Sequence, residues 1–284
     1  MGYGPRLPAK LLNIGCGALA NDAWINLDSA PSGRNVVRHD ITKGLPFPDC
    51  SIEVCYASHV LEHLTPAQAT VLVGEIHRVL RPSGIVRIVV PDLEAIVRAY
   101  QELLDRMVAG DTSREADYDW IMLELLDQGA REFSGGEMGR FLARDDMQNP
   151  DFVVSRIGDE ARRFWENRDT PLLKKGLRKV RSGGWRWALS FLRARIAAWL
   201  VLAVAGPRHK AAFDAGVFRS SGEVHRWMYD RFSLGRLLKR TGFTDIEVCS
   251  AFESRIPGFA SYTLDVVDGR LRKPDSLFVE ASKK

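Results

Sequence analysis

Little in the chain points to metal, disulfide or membrane-spanning chemistry. Its four cysteines, Cys16, Cys50, Cys55 and Cys249, include no CxxC pair, which argues against a zinc knuckle or a dithiol redox motif. They are expected to be reduced thiols of a cytoplasmic chain. The apolar run from Ile196 to Ala205 is about half of the roughly 20 residues that a membrane-spanning helix needs. Residues Met1 to Arg6 place no apolar stretch behind a basic start, so no secretory signal is expected. A formal net charge of +4 names no partner by itself. One local absence is sharper. Between Thr170 and Phe213 there is no Asp or Glu, while Lys174, Lys175, Arg178, Lys179, Arg181, Arg186, Arg193, Arg195, Arg208 and Lys210 all fall there, interleaved with Trp185, Trp187 and Trp199.

What is present is an alternation of short apolar strands and helices. Lys10–Gly15 is an apolar run ending in glycine, and Trp24–Asp28 and Val36–Asp40 each stop at an aspartate. Ile52–Ser58 forms a fourth strand, Pro66–Leu80 has helical apolar spacing, and Ile85–Val90 is a β-branched run. Strands alternating with helices predict a parallel α/β sheet. From Leu93 the alternation gives way to helical patterns at Leu93–Val108 and Asp119–Leu126. A helix at Ser233–Arg240 and strands at Asp245–Ser250 and Ser276–Ala281 then return the chain to the sheet. The expected organisation is a core at 1–98, a helical insertion at 99–221 that is basic and tryptophan-bearing at 170–213, and the rest of the core at 222–284.

A strand that runs into Gly15-Cys16-Gly17 lets the backbone approach a ligand, because glycine lacks a Cβ and accepts positive φ. Ligands of open α/β sheets sit beyond the carboxyl ends of the strands, where an acidic residue ending the second strand can hold ribose hydroxyls; Asp28 has that place. A dinucleotide fingerprint is excluded by two departures. Ala20 stands where the third glycine belongs, and Asp28 follows Gly17 too closely for a full helix between them. The first helix is therefore expected to be truncated.

The ordered set LNIGCG, Asp40, LPFPD, SHVLEHL and RVLRPSG resembles the class I S-adenosylmethionine (SAM) dependent methyltransferases, particularly a bacterial small-molecule group of the type 11 kind. The resemblance covers residues 10–94 well, and 225–242 and 276–283 more loosely. It implies a Rossmann-like, doubly wound seven-stranded sheet, strands 1–5 parallel and the last antiparallel, with the insertion after strand 5. It also implies SAM as cofactor and S-adenosylhomocysteine as product. Gly15 and Gly17, with Asn13 and Cys16 in the same strand and turn, would meet the methionine part. Asp28 would meet the ribose, Asp40 and Ile41 the adenine, and Ser58 with His59 the cofactor's inner face.

Methyl transfer depends on alignment of acceptor, methyl carbon and sulfur, and a hydroxyl acceptor benefits from a base. The candidates are His59, His63 and His225, with Asp92 as an orienting carboxylate or a helix cap. His59 and His63 share i, i+4 spacing, but no third ligand and no HExxH order accompany them, and no metal is expected. The resemblance implies a small-molecule or glycan acceptor, methylated at oxygen, in cell-surface polysaccharide or secondary-metabolite synthesis. A catalytically silent SAM-binding protein and an aminopropyl transferase of the same fold are the rival readings. The basic stretch is expected to form a lid over the acceptor pocket. Its alternative is peripheral contact of 174–210 with the inner face of an anionic membrane. No nucleic-acid partner is expected, since no binding module is recognisable, and the oligomeric state is left open.

Overall fold

The computed structural model describes residues 10–31, 35–168, 189 and 192–284. They divide into two compact units. The first holds the described residues up to Val97 together with Arg156–Asp159 and Arg226–Lys284; the second holds those of Arg98–Ser155 and Glu160–His225.

The first unit is built on strands β1 (Leu11–Ile14), β2 (Ile25–Asp28), β3 (Val36–Arg38), β4 (Ile52–Ser58), β5 (Leu80–Pro91), β6 (Phe243–Cys249) and β9 (Ser276–Lys283). They form one seven-stranded sheet in the order β3-β2-β1-β4-β5-β9-β6. Strands β1 to β5 pair in parallel, and β9 runs antiparallel to both β5 and β6. This is the expected Rossmann-like sheet with its antiparallel last strand. One boundary differs: Arg81-Pro82-Ser83-Gly84, which separate the expected helix Pro66–Leu80 from the expected strand Ile85–Val90, lie inside β5. Leu80 already pairs with Ile52, and the register shifts between Ile52 and Val54. Ser83 absorbs the irregularity at φ +62°, as a bulged residue does.

One face of the sheet is covered by helix α1 (Pro66–Val79) and helix α9 (Arg231–Arg240). Thr65 and Gln68 close a capping box on α1, with Pro66 in its first turn, and Asp230 with Ser233 does the same for α9. Leu72, Val73, Ile76 and Val79 of α1 and Leu234 and Leu238 of α9 pack on Leu12, Ile14, Ala57 and Ile88.

The opposite face is closed by the crossover between β6 and β9. Ile256, Phe259 and Leu264 pack there on Trp24, Tyr56 and Phe278, beside a two-stranded hairpin of β7 (Val266–Val267) and β8 (Arg270–Leu271). Trp24 meets Tyr262 and Phe259 edge-on, at centroid distances of 5.2 and 6.5 Å. A wholly buried cation ties this crossover to the sheet. Arg87 of β5 donates to Asp265 at 2.7 Å, Glu280 at 2.8 Å, and the Glu253 and Ser250 carbonyls at 3.0 and 3.1 Å. Tyr56 OH donates to the other Asp265 oxygen at 2.5 Å. Burial pushes the Asp265 carboxyl up, against the pull of Arg87 and Tyr56.

The first helix, expected to be truncated, is absent: residues 15–24 form turns only. Asparagines take its place. Asn13 Nδ2 donates to Leu19 O and Asn26 Oδ1, both at 3.0 Å, and Asn26 Nδ2 donates to the Asn21 and Trp24 carbonyls.

The second unit is helical in its named elements. Helix α2 (Leu93–Val108) crosses into it, and α3 (Glu115–Ala130), α4 (Gly136–Leu142), α5 (Pro150–Ile157), α6 (Asp159–Glu166), α7 (192–205) and α8 (Pro207–Arg219) follow. Asp127 of α3 accepts the Glu137 and Met138 N–H groups that begin α4, at 2.7 and 3.4 Å. Of the basic stretch, Lys174, Lys175, Arg178, Lys179, Arg181, Trp185, Arg186 and Trp187 lie outside the described residues. Helix α7 exposes Leu192, Ile196, Trp199, Leu200 and Val204. Among the described residues no helix is long and apolar enough to cross a membrane.

Candidate active site

Strand β1 lies between β2 and β4, so the chain leaves the sheet centre in two directions and opens a crevice at the carboxyl ends of these strands. Gly15 follows β1, Asp28 ends β2, Asp40 follows β3 and Ser58 ends β4. The sequence-selected residues therefore share one edge of the sheet.

The glycine turn is held against β2 by its own backbone. Cys16 N–H donates to Leu27 O at 3.1 Å, Gly17 N–H to Asp28 Oδ2 at 2.8 Å and Ala30 N–H to Asp28 Oδ1 at 2.7 Å. Gly15 and Gly17 both have positive φ, +65° and +53°, for different reasons. A Cβ on Gly15 would stand 2.4 Å from Val60 Cγ2, whereas one on Gly17 would have nothing within 4 Å. Among the described residues the turn is thus packed beneath Gly15 and clear around a Cβ at Gly17, beside a carboxylate that accepts hydrogen bonds. That arrangement fits a nucleoside cofactor whose ribose hydroxyls need an acceptor. The Cys16 thiol is pushed up to about 11 by burial and by the nearby Asp28 charge, so it stays protonated. Asn13, only 1% exposed, lies beneath the turn, where its amide braces Leu19 and Asn26.

Asp40 caps the short 3-10 turn Ile41–Lys43. Its Oδ1 accepts the Thr42 hydroxyl at 2.7 Å and the Thr42 N–H at 3.1 Å, and these bonds lower its pKa. The LPFPD segment is fixed from α1. Arg78 donates to the Phe47 and Leu45 carbonyls at 2.9 and 3.0 Å, to Asp49 at 2.7 Å, and to both oxygens of Glu75. Glu75 also accepts the Leu45 N–H at 2.8 Å. Arg78 is the main reason that the Glu75 carboxyl is held down to about 2.

Past β4, His59 adopts φ +55°, and its N–H donates to Val89 O. Its Nε2 lies 2.9 Å from Ser276 Oγ at the start of β9, in hydrogen-bond geometry, and its Nδ1 lies 3.0 Å from Glu62 Oε1. His63 closes the 3-10 turn Leu61–His63, with its N–H on Val60 O. Asp92, expected either to orient a histidine or to cap a helix, caps α2: its Oδ1 accepts the Glu94 and Ala95 N–H groups at 3.0 and 3.2 Å. The carboxylate beside His59 is Glu62 instead. His225 belongs to the second unit, where its N–H donates to Gln128 O at 2.9 Å.

Sequence reasoning missed Glu62, Arg78, Ser276 and Asn26 as working residues. Glu62 and Arg78 stood inside quoted motifs and carried a signal; Ser276 and Asn26 carried none, since their partners come from other strands.

Residues 18–88 match the sequence model of a family described as "Methyltransferase domain". No curated protein sequence matches the chain. Among solved structures, a SAM-dependent methyltransferase from Archaeoglobus fulgidus is 12% identical, with 97% of this chain and 86% of that one covered at a TM-score of 0.38. One from Thermotoga maritima is 11% identical, with 98% and 84% covered at a TM-score of 0.37. A Haloferax volcanii complex of a methyltransferase activator with a putative methyltransferase aligns at 10% identity, 98% and 85% coverage and a TM-score of 0.38. The fold rests on the strand order of this chain itself rather than on these likenesses. A parallel sheet wound in this order and closed by an antiparallel last strand thus carries, from before β2 into β5, a sequence similar to the methyltransferase-domain family.

Proposed function

We propose that the enzyme methylates a hydroxyl of a small molecule or glycan. The observation that carries the cofactor half of this reading is the Gly17–Asp28 contact at the open side of the turn. Asp28 would accept the ribose hydroxyls, Gly15 and Gly17 would let the backbone approach the methionine part, and Asp40 with Ile41 would border the adenine. When bound, SAM supplies an electrophilic methyl group on a sulfonium. The chain's task is to line up the acceptor and to take its proton. An oxygen acceptor is favoured because a histidine, His59, stands directly after Ser58 at the carboxyl end of β4, and the proton of a hydroxyl needs such a base.

Calorimetric titration with SAM and with S-adenosylhomocysteine tests the cofactor half: binding of both is expected, and binding of neither refutes it. Transfer of a labelled methyl group to a panel of hydroxyl-bearing metabolites and oligosaccharides, against amine and thiol analogues, tests the acceptor half. Labelling of the amines alone refutes O-methylation.

The reading includes location in the cytoplasm with the basic stretch as a lid over the acceptor pocket; its alternative is contact of 174–210 with an anionic membrane surface. The apolar exposure of α7 at Leu192, Ile196, Trp199 and Leu200 supports the alternative. Liposome flotation of the full chain and of a form lacking 174–210 tests this, and equal partitioning of the two refutes it.

A further inference from the structure

Helix α9 buries one side and leaves the other charged. Leu234 and Leu238 are fully buried in the core under the sheet. Phe232, Arg236, Lys239 and Arg240 stand at i, i+4, i+7 and i+8, the spacing of a single helix face, and all four are exposed. The Arg236 guanidinium lies 5.2 Å from the centroid of the Phe232 ring. Arg231 pairs with Glu94 at 3.0 Å, whereas among the described residues Arg236, Lys239 and Arg240 have no carboxylate partner. Asp230, near enough for Arg236 to lower its pKa, is already engaged in capping α9 through Ser233. An apolar slot of about 230 Å³ runs beside this face, over Tyr229 and between Thr70 of α1 and Leu237 of α9, with Trp227, Arg236 and Arg240 also lining it. Trp227 is 49% exposed and Phe232 70%. Neither Pro66–Gly74 nor Arg231–Arg240, the chain segments that border the slot, contains an Asp or Glu.

Two exposed aromatic rings thus stand among cations that lack acidic partners. Covering the rings removes apolar surface from water, but covering the cations with them is costly unless negative charge meets them. An anionic bilayer surface satisfies both demands. Aromatic rings settle at the headgroup level, while arginine and lysine lay their aliphatic stems beside the rings and carry their charges to the phosphates. A second copy of the chain does not satisfy them. In a two-fold pair the same patch meets itself, which would set Arg236, Lys239 and Arg240 against their own copies.

We propose that this face of the first unit, Trp227 and Phe232 with Arg236, Lys239 and Arg240, docks on an anionic phospholipid surface. The rings enter the headgroup layer, the slot over Tyr229 receives part of a lipid's apolar body, and Arg236 and Arg240 hold its phosphate. The face is separate from 174–210, and its use does not depend on which acceptor is methylated. Trp227 N–H donates to Glu62 O at 3.2 Å, so docking here brings the turn that follows β4 close to the lipid.

Flotation of the full chain with vesicles of phosphatidylcholine alone, and of equal parts phosphatidylcholine and phosphatidylglycerol, is the test. The wild type is expected to float with the mixed vesicles only, and to be released by added salt. Arg236→Gln combined with Arg240→Gln is expected to lower partitioning about 30-fold, roughly fivefold for each cation at the surface. Trp227→Ser combined with Phe232→Ser is expected to lower it with the charge unchanged. Should Trp227→Ser lower the melting temperature, Phe232→Ser alone and the arginine variant still decide. A wild type that floats with neither vesicle overturns the proposal, and so does equal flotation with both, which would leave the cations idle. Unchanged partitioning of the arginine variant also overturns it and assigns the flotation to other residues, 174–210 among them. Sedimentation of lipid-free protein examines the rival occupant: a non-floating wild type whose self-association is abolished by Phe232→Ser would make the face an interface between copies and refute lipid docking.

Discussion

The N–H of Gly17 donates to Asp28 Oδ2 at 2.8 Å, so the glycine turn and the end of β2 are one structural unit before any cofactor arrives. Asp28→Ala removes both this clasp and the proposed acceptor for the ribose. SAM affinity is expected to fall about 10- to 100-fold, the worth of one or two hydrogen bonds to a charged group. Calorimetry measures it, and affinity within twofold of the wild type would remove Asp28 from the site.

The two glycines of the turn should fail differently. Gly15→Ala meets Val60 at 2.4 Å as well as a positive φ, and is expected to lower the melting temperature. Gly17→Ala meets no described atom within 4 Å and carries the φ strain, about 1 kcal/mol, so it should melt nearer the wild type while placing a methyl group at the proposed cofactor site. Thermal melts paired with SAM titration separate these effects.

Arg87→Met leaves Asp265 and Glu280 buried beside an apolar side chain. Loss of one partner from a buried ion pair typically costs about 3–5 kcal/mol, and chemical denaturation should report a loss of that order. Arg87→Lys is expected to recover only part of it, since a single ammonium cannot reach acceptors on all sides as the guanidinium fork does.

Acid should loosen the LPFPD segment. The Glu75 carboxyl is depressed from 4.5 to about 2 in the folded chain. Its contribution to stability is present above about 4.5 and is lost as pH falls from there toward 2. Arg78→Ala is expected to destabilise the protein by about 1–3 kcal/mol at neutral pH and to flatten this part of the pH–stability curve, as followed by denaturation at stepped pH.

Legibility in the sequence followed locality. Ile52–Ser58 and Leu93–Val108 appear with the bounds that their periodicity predicts, because an apolar pattern and its flanking turn residues suffice to define them. The missing first helix was visible in the short gap from Gly17 to Asp28, but the asparagine brace replacing it was not, since Asn13 and Asn26 meet only once β1 and β2 pair. Arg87 hides in the apolar run IVRIVV; its partners stand far along the chain at Asp265 and Glu280. The crossover that covers the second sheet face has no helical or strand period to read. Within the site, the strand-end residues were legible as an ordered motif. The choice of Glu62 over Asp92 beside His59 was not, because Asp92 is engaged in capping α2.

Strand β9 lies inside the sheet, between β5 and β6, although it follows all the other strands of that sheet along the chain. During synthesis the chain through Asp275 therefore leaves an open slot, with β5 and β6 both lacking a neighbour and Arg87 lacking Glu280. A ribosome-bound or prematurely terminated chain would expose two unpaired strand edges, which are templates for aggregation. Folding of this domain therefore waits on residues 276–283, and its yield in the cell depends on protection of that slot until they emerge.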